Sequence, residues 1–224
     1  MKPFTVLEAT ACPLGLVNVD TDQLIPARFM QTPRSQGYGP FLLHDLRRDA
    51  NGALRSDFPL NDPRYRDCSI VIARKNFGCG SSREAGVYVL VDQGITCVIA
   101  PSFGDIFASN SIKNGLLPAR LSESEIEELL AEPSVIDGRP IRVDLANQKI
   151  IAGNRSFDFD IRADWKKQLI NGWDDVDMTR SYAKDIEAFV ATDAGARPWA
   201  VPSVLSRSVS FPPSEAQSGT PEAT

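Results

Sequence analysis

Residues 69–94 read SIVIARKNFGCGSSREAGVYVLVDQG and establish the fold class that the sequence predicts. The first five of them, 69–73, are mostly β-branched and apolar, which predicts a short buried strand. Between residues 83 and 93, apolar side chains recur at the spacing of a helix. The glycine-containing residues 76–84 join the two patterns. The sequence therefore predicts a strand, a glycine turn and a helix.

The turn carries groups that suit an anion-binding pocket. Gly78 and Gly80 allow backbone conformations closed to other residues and let a ligand approach the main chain. The helix that follows offers unpaired N–H groups and a partial positive charge. Arg83, predicted in its first turn, adds a two-pronged bond to a planar carboxylate. A second interpretation needs no ligand, because Ser81 and Glu84 also match a capping box that starts a helix.

The composition narrows the class of protein. A chain of 224 residues can bury the core of one large domain, with or without a tail. The formal net charge of −5 comes from 24 basic and 29 acidic residues without a long run of one sign, which indicates neither a nucleic-acid partner nor a membrane partner. No apolar stretch is long enough to span a bilayer, and residues 1–3 lack the apolar core of a signal peptide. We therefore expect a cytoplasmic protein.

The cysteines and the single histidine predict no metal site in this chain. Cys12, Cys68, Cys79 and Cys97 are irregularly spaced and include no C-x-x-C pair. Three of them are expected to be buried or free thiols. Cys79 differs because it lies in the glycine turn, where a helix N-terminus would lower its pKa and make it reactive. His44 is predicted to be a surface or pocket-edge residue rather than a general base.

A second polar turn lies near the N-terminus. Residues 18–26 read NVDTDQLIP, whose asparagine and aspartates favour an Asx-type turn and whose Pro26 ends any helix before it. Asp20 and Asp22 thus bring two carboxylates into one tight turn. They either belong to a site or bond only to backbone N–H groups, and the turn alone leaves both interpretations open.

The remaining elements predict an α/β core followed by a small meander. Strands are expected at 4–11 and 96–100, and Ser102 is expected to cap a helix that ends near residue 114. Alternating strands and helices indicate a parallel sheet. Ser122 and Glu125 form another capping box. Further expected elements are strands at 141–145, 149–152 and 156–159 and helices at 164–170 and 175–190.

The C-terminal part differs in composition from the rest. From about residue 191, prolines alternate with serines and small residues that cannot supply a packed core. We therefore expect one domain over residues 1–190 and a largely disordered Pro/Ser-rich tail over 191–224.

Three sequence blocks occur in one order: NVDTDQLIPARF at 18–29, NFGCGSSRE at 76–84, and the stretch at 99–118 that begins IAPSFGDIF. Together they closely resemble the small subunits of the 3-isopropylmalate dehydratase family, in the aconitase superfamily. The resemblance covers about residues 4–190 and leaves the tail outside. The combination of blocks is far more specific than any one motif.

The resemblance implies a fold, a partner and a reaction. The fold would be a swivelling β/β/α three-layer domain like the aconitase C-terminal domain, completing an active site on a separate large subunit in a heterodimer or heterotetramer. That subunit would carry a 4Fe-4S cluster, so no cofactor is expected on this chain, which would be inactive alone. The enzyme would be a hydro-lyase of leucine biosynthesis, isomerising the hydroxy dicarboxylic acids 2-isopropylmalate and 3-isopropylmalate by dehydration and rehydration through 2-isopropylmaleate.

The family pattern also implies residue roles. Proton removal next to a carboxylate needs a base and a carboxylate clamp. Ser81 matches the base, and its oxygen would need nearby N–H groups to stabilise an alkoxide. The expected substrate-binding residues are Gly80, Ser82, Arg83 and, less directly, Arg28. The expected site-ordering residues are Asp20, Thr21, Asp22 and Glu84.

One departure from the family pattern follows the base. The family usually continues S-S-R-E-H-A-P-W-A-L, whereas residues 81–90 read SSREAGVYVL and lack the histidine, proline and tryptophan. Gly86 makes this helical turn less stable by about 1 kcal/mol relative to alanine. Two alternatives therefore stay open. Beside the 3-isopropylmalate dehydratase subunit, these are a subunit of a related hydro-lyase of dimethylmalate, citramalate or homoaconitate type and a non-catalytic anion-binding paralogue.

Overall fold

A computed structural model describes residues 1–200. The strands in this part are β1 (Val6–Pro13), β2 (Ile70–Ile72), β3 (Cys97–Ala100), β4 (Leu117–Arg120), β5 (Pro140–Asp144), β6 (Lys149–Ala152) and β7 (Arg155–Asp158). The α-helices are α1 (Thr21–Leu24), α2 (His44–Arg47), α3 (Ala85–Asp92), α4 (Asp105–Lys113), α5 (Glu123–Leu130), α6 (Pro133–Ile136), α7 (Ala163–Asn171), α8 (Asp175–Arg180) and α9 (Ala183–Ala196). Between β1 and β2 the chain also makes 3-10 turns at Ala27–Gln31, Arg34–Gln36, Gly39–Phe41, Pro59–Asn61 and Pro63–Tyr65.

The strands form one mixed sheet in the order β4-β3-β2-β1-β5-β6-β7. Strands β1 to β4 are parallel, and β1, β5, β6 and β7 are antiparallel. The long strand β1 joins the halves, because its residues 6–10 pair with β5 and its residues 11–13 pair with β2. The predicted α/β class is confirmed, with a parallel core and a C-terminal meander in one curled sheet.

Apolar side chains are buried on both faces of the parallel half. Val71 and Val98 point into a cluster with α3, α4 and the long segment between β1 and β2. Ile70 and Ile72 point into a second cluster with α5, α6 and the antiparallel strands. Burial on both faces explains why the sequences of β2 and β3 are continuously apolar rather than alternating.

The segments that follow β1, β2 and β3 stay side by side after the strands end. Asp20 pairs with Cys79, and Phe77 pairs with Phe103, each in an isolated parallel bridge. Gly78 lies between these bridges with a φ of 72°, and a side chain there would overlap the ring of Phe107. The polar turns of the sequence therefore meet at the carboxyl edge of the parallel strands, where α/β proteins bind ligands.

The start of α3 differs from the prediction. The helix begins at Ala85 after Glu84, so Ser81 does not cap it and Arg83 lies before its first turn. The reason is tertiary, because Ser81 donates its N–H to Thr21 and accepts N–H groups of Arg83. A capping box needs those same groups for the helix itself.

The start of α4 also differs, whereas α5 starts as predicted. The residue before α4 is Gly104, and the hydroxyl of Ser102 instead accepts the N–H of Asn76 at 2.9 Å. At α5 the predicted capping box is present, because Glu125 N donates to Ser122 Oγ at 3.2 Å and Ser122 N donates to Glu125 Oε2 at 2.8 Å.

The chain divides into two compact units, Met1–Met178 and a second that begins at Thr179. The single helix expected at 175–190 is instead α8 and α9, and α9 extends to Ala196 with an ion pair between Asp193 and Arg197 over its last turn. The predicted domain boundary at residue 190 stays a prediction. The predicted disorder of the tail falls mainly on residues 201–224, outside the described residues.

Candidate active site

Ser81 lies in the turn before α3 and is held by a buried threonine. Its N–H donates to Thr21 Oγ1 at 3.0 Å, and its own Oγ accepts Arg83 Nε at 2.9 Å and Arg83 N at 3.3 Å. Thr21 is 2% exposed, and its N–H donates to the carbonyl of Cys79 at 2.9 Å. The two polar turns of the sequence are therefore joined at Ser81, whose oxygen accepts two N–H groups of Arg83.

Arg83 connects Ser81 to the first polar turn. Its Nη2 donates to Asp22 Oδ1 at 2.7 Å, and its Nη1 lies 3.5 Å from Met30 Sδ. The side chains of Arg83 and Asp22 are 43% and 62% exposed. Such exposed ion pairs contribute little net energy, so the carboxylate of a ligand can replace Asp22 on the guanidinium at small cost.

The two aspartates of the first turn have different partners. Asp20 caps α1, because its Oδ1 accepts Gln23 N at 2.6 Å while its own N–H donates to Gln23 Oε1 at 3.1 Å. Asp22 faces Arg83 instead. Backbone bonding therefore describes Asp20, whereas Asp22 pairs with a side chain of the second polar turn.

Two glycines lie against Thr21. Gly80 has a φ of 98°, a conformation that side chains rarely adopt, and its Cβ position is 3.4 Å from Thr21 Oγ1. A Cβ on Gly86 would lie 3.2 Å from Thr21 Cγ2, closer than most packed carbon atoms. Glycine at 86, where the family pattern has alanine, thus lets α3 lie close to α1 and Thr21.

An open cleft of about 240 Å³ lies beside Ser81. It is lined by Gly78, Gly80, Ser81, Gly104, Asp105, Ile106 and Phe107. Ile106, in the first turn of α4, is 53% exposed. Ser82 is also exposed, and its carbonyl accepts Asn110 Nδ2 at 3.5 Å. The cleft formed by these residues is partly open to solvent.

Cys79 is not the activated thiol that the sequence predicted. Partial burial raises its pKa, and the negative charge of Asp20 raises it further. The expected lowering was wrong because α3 begins six residues after Cys79, so Cys79 is not at its N-terminus, and burial and the charge of Asp20 determine the direction of the shift.

Arg28 lies outside the cluster around Ser81. Both of its Nη atoms donate to the carboxylate of Asp45, one of them at 2.9 Å, and its guanidinium lies over the ring of Phe29. This pairing, with a further bond from His44, lowers the pKa of Asp45 to about 2. His44 is partly buried beside Phe29, which agrees with its predicted place at a surface or pocket edge.

Sequence reasoning predicted Glu84 as a site-ordering residue but missed its partner Tyr88 and the pair formed by Arg34 and Asp92. Glu84 Oε2 accepts the hydroxyl of Tyr88 at 2.6 Å, and Asp92 accepts a two-pronged bond from Arg34. One sequence signal was present: Asp92 is an acidic residue near the C-terminus of a predicted helix, where its charge opposes the helix dipole.

The described residues contain no group of three or more His, Cys, Asp or Glu side chains that could hold a metal ion. Cys12 and Cys68 lie in one buried cluster, Cys97 in the other, and Cys79 in the turn. These four thiols therefore do not converge on a common site. No α-helix of residues 1–200 is long and apolar enough to cross a membrane.

Comparison with known proteins gives matches over most of the chain. The family model "Aconitase C-terminal domain" matches residues 1–124. The 3-isopropylmalate dehydratase small subunit of Rhodospirillum centenum is 45% identical over 202 residues, which cover 90% of this chain and 100% of the relative. The protein of the same name from Dinoroseobacter shibae is 42% identical over 200 residues, or 89% of this chain and 100% of the relative.

A solved structure shares the fold. The crystal structure of a 3-isopropylmalate dehydratase from Methanocaldococcus jannaschii superposes with a TM-score of 0.59 at 25% identity, covering 82% of this chain and 98% of that chain. The chain therefore belongs to the aconitase C-terminal domain family and, within it, to the 3-isopropylmalate dehydratase small subunits.

Proposed function

We propose that this chain is the small subunit of a 3-isopropylmalate dehydratase in leucine biosynthesis and that it supplies the base and the carboxylate clamp of a shared active site. The observation that carries the proposal is the arrangement at Ser81. Its oxygen accepts two N–H groups of Arg83, beside an open cleft, in a chain of this family.

Ser81 is proposed to move the proton. Dehydration of 2-isopropylmalate breaks a C–H bond next to a carboxylate and a C–O bond on the neighbouring carbon, and the products are 2-isopropylmaleate and water. Ser81 Oγ, as the alkoxide, takes the C–H proton, and the substrate hydroxyl leaves with a proton from solvent as water. During rehydration Ser81 Oγ returns its proton to the carbon that lost the hydroxyl, while water adds its hydroxyl to the other carbon and releases a proton to solvent, with no change of oxidation state. A serine hydroxyl is a weak base, so its alkoxide must be stabilised. The Nε–H and backbone N–H of Arg83 both point at this oxygen and supply that stabilisation.

Arg83 is proposed to bind a substrate carboxylate in place of Asp22. Its guanidinium has five N–H donors, of which Nε serves Ser81 and Nη2 serves Asp22. An incoming carboxylate would take the Nη donors in a two-pronged bond while Nε stays on Ser81. Ser82 and the backbone at Gly80 are exposed beside it and complete the proposed clamp.

The other half of the site is proposed to come from the large subunit. The open cleft needs a second wall, and the four cysteines of this chain do not converge on a common site. We therefore place the 4Fe-4S cluster on that partner and assign no step to it here. Heterodimer or heterotetramer assembly and a cytoplasmic location stay predictions.

Co-expression with the large subunit of the same organism tests the proposal. Under anaerobic, iron-replete conditions, the assembled enzyme should form 2-isopropylmaleate from 2-isopropylmalate, followed by the ultraviolet absorbance of the alkene. Ser81→Ala should lower kcat by about 10³-fold, whereas Ser156→Ala, at an exposed serine of β7, should change nothing. Full activity of Ser81→Ala would refute the assignment of the base. A clear preference for dimethylmalate, citramalate or a homoaconitate-type acid would instead assign the chain to a related hydro-lyase.

A further inference from the structure

Residues 30–41, which we call the Met30 segment, are fastened to the C-terminal end of α3. Arg34 Nη1 donates to Asp92 Oδ2 at 2.7 Å, Arg34 Nη2 donates to Asp92 Oδ1 at 2.8 Å, and Tyr38 N donates to Asp92 Oδ2 at 2.6 Å. The carboxylate that accepts these three bonds is only 17% exposed. Two parallel bonds between a guanidinium and a carboxylate fix both their distance and their orientation.

The contact is close-packed as well as charged. The guanidinium of Arg34 lies 4.5 Å from the ring centroid of Tyr88 and 5.4 Å from that of Tyr38. A Cβ on Gly39 would lie 2.8 Å from the carbonyl oxygen of Asp92, so the backbone of the segment touches the backbone of α3. This combination of stacking and direct backbone contact distinguishes the pair from the exposed ion pairs that add little stability.

The position of Asp92 indicates that its carboxylate serves the segment rather than the helix. It is the last residue of α3, where a negative charge opposes the helix dipole and is unfavourable for the helix alone. The contacts with Arg34 and Tyr38 offset that cost.

The same segment reaches the proposed active site at its other end. Met30 Sδ lies 3.5 Å from Arg83 Nη1. Glu84, which directly precedes α3, and Tyr88 and Asp92 within it follow one another at intervals of four residues and so lie on one side of the helix. The hydroxyl of Tyr88 bonds to Glu84, the residue directly after Arg83. We call the bonds of Arg34 and Tyr38 to Asp92 the anchor. The anchor and the guanidinium of Arg83 are thus connected both through the Met30 segment and along α3.

We infer that Arg34 is a positioning residue for substrate binding: through Asp92 it holds the Met30 segment on α3 and keeps Met30 beside the guanidinium of Arg83. The inference rests on the proposed function, because Arg83 is the proposed carboxylate ligand. Without the anchor, the segment loosens and the Arg83 side chain loses one of its neighbours. Substrate binding is weakened, whereas proton transfer at Ser81, which depends on Thr21 and on Arg83 Nε, is retained.

The test uses the full chain assembled with its large subunit and 2-isopropylmalate as substrate. Arg34→Ala should raise KM about tenfold with kcat changed less than about threefold, and Asp92→Asn should act in the same direction. Arg34→Lys keeps the charge without the two-pronged geometry and should recover part of the loss. The matched control is Arg55→Ala, which removes another exposed arginine with two bonds to an aspartate, Asp57, at 3.1 and 2.8 Å, and should leave KM unchanged.

A second readout follows the segment itself. Hydrogen exchange of residues 30–41 in the chain alone should become faster in Arg34→Ala and stay unchanged in Arg55→Ala. Unchanged exchange in Arg34→Ala overturns the inference whatever the activity. Faster exchange with an unaltered KM also overturns it, because the anchor would then be structural only. A wild-type complex without turnover of 2-isopropylmalate refutes the proposed function instead, and the exchange measurement still tests the anchor.

Discussion

Thr21 is the residue on which the geometry of the proposed site depends. Its hydroxyl accepts the N–H of Ser81, its own N–H bonds to Cys79, and its methyl group faces Gly86. The sequence placed Thr21 among the site-ordering residues through family resemblance. Its bond to Ser81 spans 60 positions of the chain. The local sequence pattern cannot predict such a contact, because the contact depends on how two distant turns meet.

Replacing Thr21 by valine removes the hydroxyl and keeps the shape of the side chain, so the variant tests the role of the hydroxyl alone. Thr21→Val leaves the N–H of Ser81 without its acceptor, so we expect the free energy of unfolding to fall by about 1 kcal/mol. The turn should also shift, lowering kcat more than it raises KM. Urea denaturation and steady-state kinetics of the assembled enzyme measure the two effects. Thr21→Ser, which keeps the hydroxyl, is the control, and a valine variant that matches wild type in both would contradict this role.

The raised pKa of Cys79 predicts how the reactivity of its thiol depends on pH. Because the thiolate is the reactive form, a pKa above the ordinary thiol value of 9.0 leaves less of it at neutral pH. Alkylation of Cys79 by iodoacetamide should therefore be slower than that of a cysteine peptide at pH 8, with a rate that still rises above pH 9. Asp20→Asn keeps a capping side chain and removes the charge, so it should speed the reaction at a given pH. Peptide mass spectrometry gives the rates, and a plateau reached below pH 8 would refute the prediction.

At the scale of elements, the same sequence pattern gave one correct and one wrong helix start. The S-x-x-E pattern at Ser122 forms a capping box, whereas the pattern at Ser81 does not, and α3 begins at Ala85. Nothing within either stretch separates the two cases. The difference comes from Thr21, which engages the Ser81 turn from another part of the chain. Strands and helices were predictable because burial and periodicity are local signals, whereas the boundaries at the site depend on tertiary contacts.

We predict that glycine at position 86 is needed for close packing against Thr21 and not for the stability of α3. Alanine would favour the helix by about 1 kcal/mol, but its Cβ would meet Thr21 Cγ2 at 3.2 Å, and Thr21 is fixed by its bonds to Ser81 and Cys79. We expect Gly86→Ala to give no gain in urea stability and to lower kcat/KM of the assembled enzyme.

The control for this substitution is Gly195→Ala in α9, where a Cβ meets nothing within 4 Å. It should leave activity unchanged and at most increase the helical signal in circular dichroism. If Gly86→Ala instead raised the free energy of unfolding by the full helix-propensity energy of about 1 kcal/mol and kept normal activity, Thr21 would be able to move away from the added methyl group, and the prediction would be wrong.

In the molecule as a whole, the long strand β1 joins the parallel half of the sheet to the antiparallel half. The proposed site lies at the edge of the parallel half. The sequence indicated both halves but not that one strand belongs to each, because strand pairing is set by contacts distant in the chain. Both buried clusters lie entirely within residues 1–178, which we call the body. The open cleft lies at one edge of this body, which suits an active site completed by a second protein.

The distribution of buried residues predicts that the body folds without the C-terminal part. In α9 no residue is buried, whereas Leu169 of α7 is fully buried in the second cluster. A chain that ends at residue 182 should therefore match the full chain in free energy of unfolding to within about 0.5 kcal/mol, as for other surface changes. Leu169→Ala in the full chain is the contrasting control and should cost about 2 to 5 kcal/mol. Urea denaturation followed by circular dichroism compares the three proteins. A larger loss in the shortened chain would mean that residues beyond 182 stabilise the body and would favour the predicted domain boundary at residue 190.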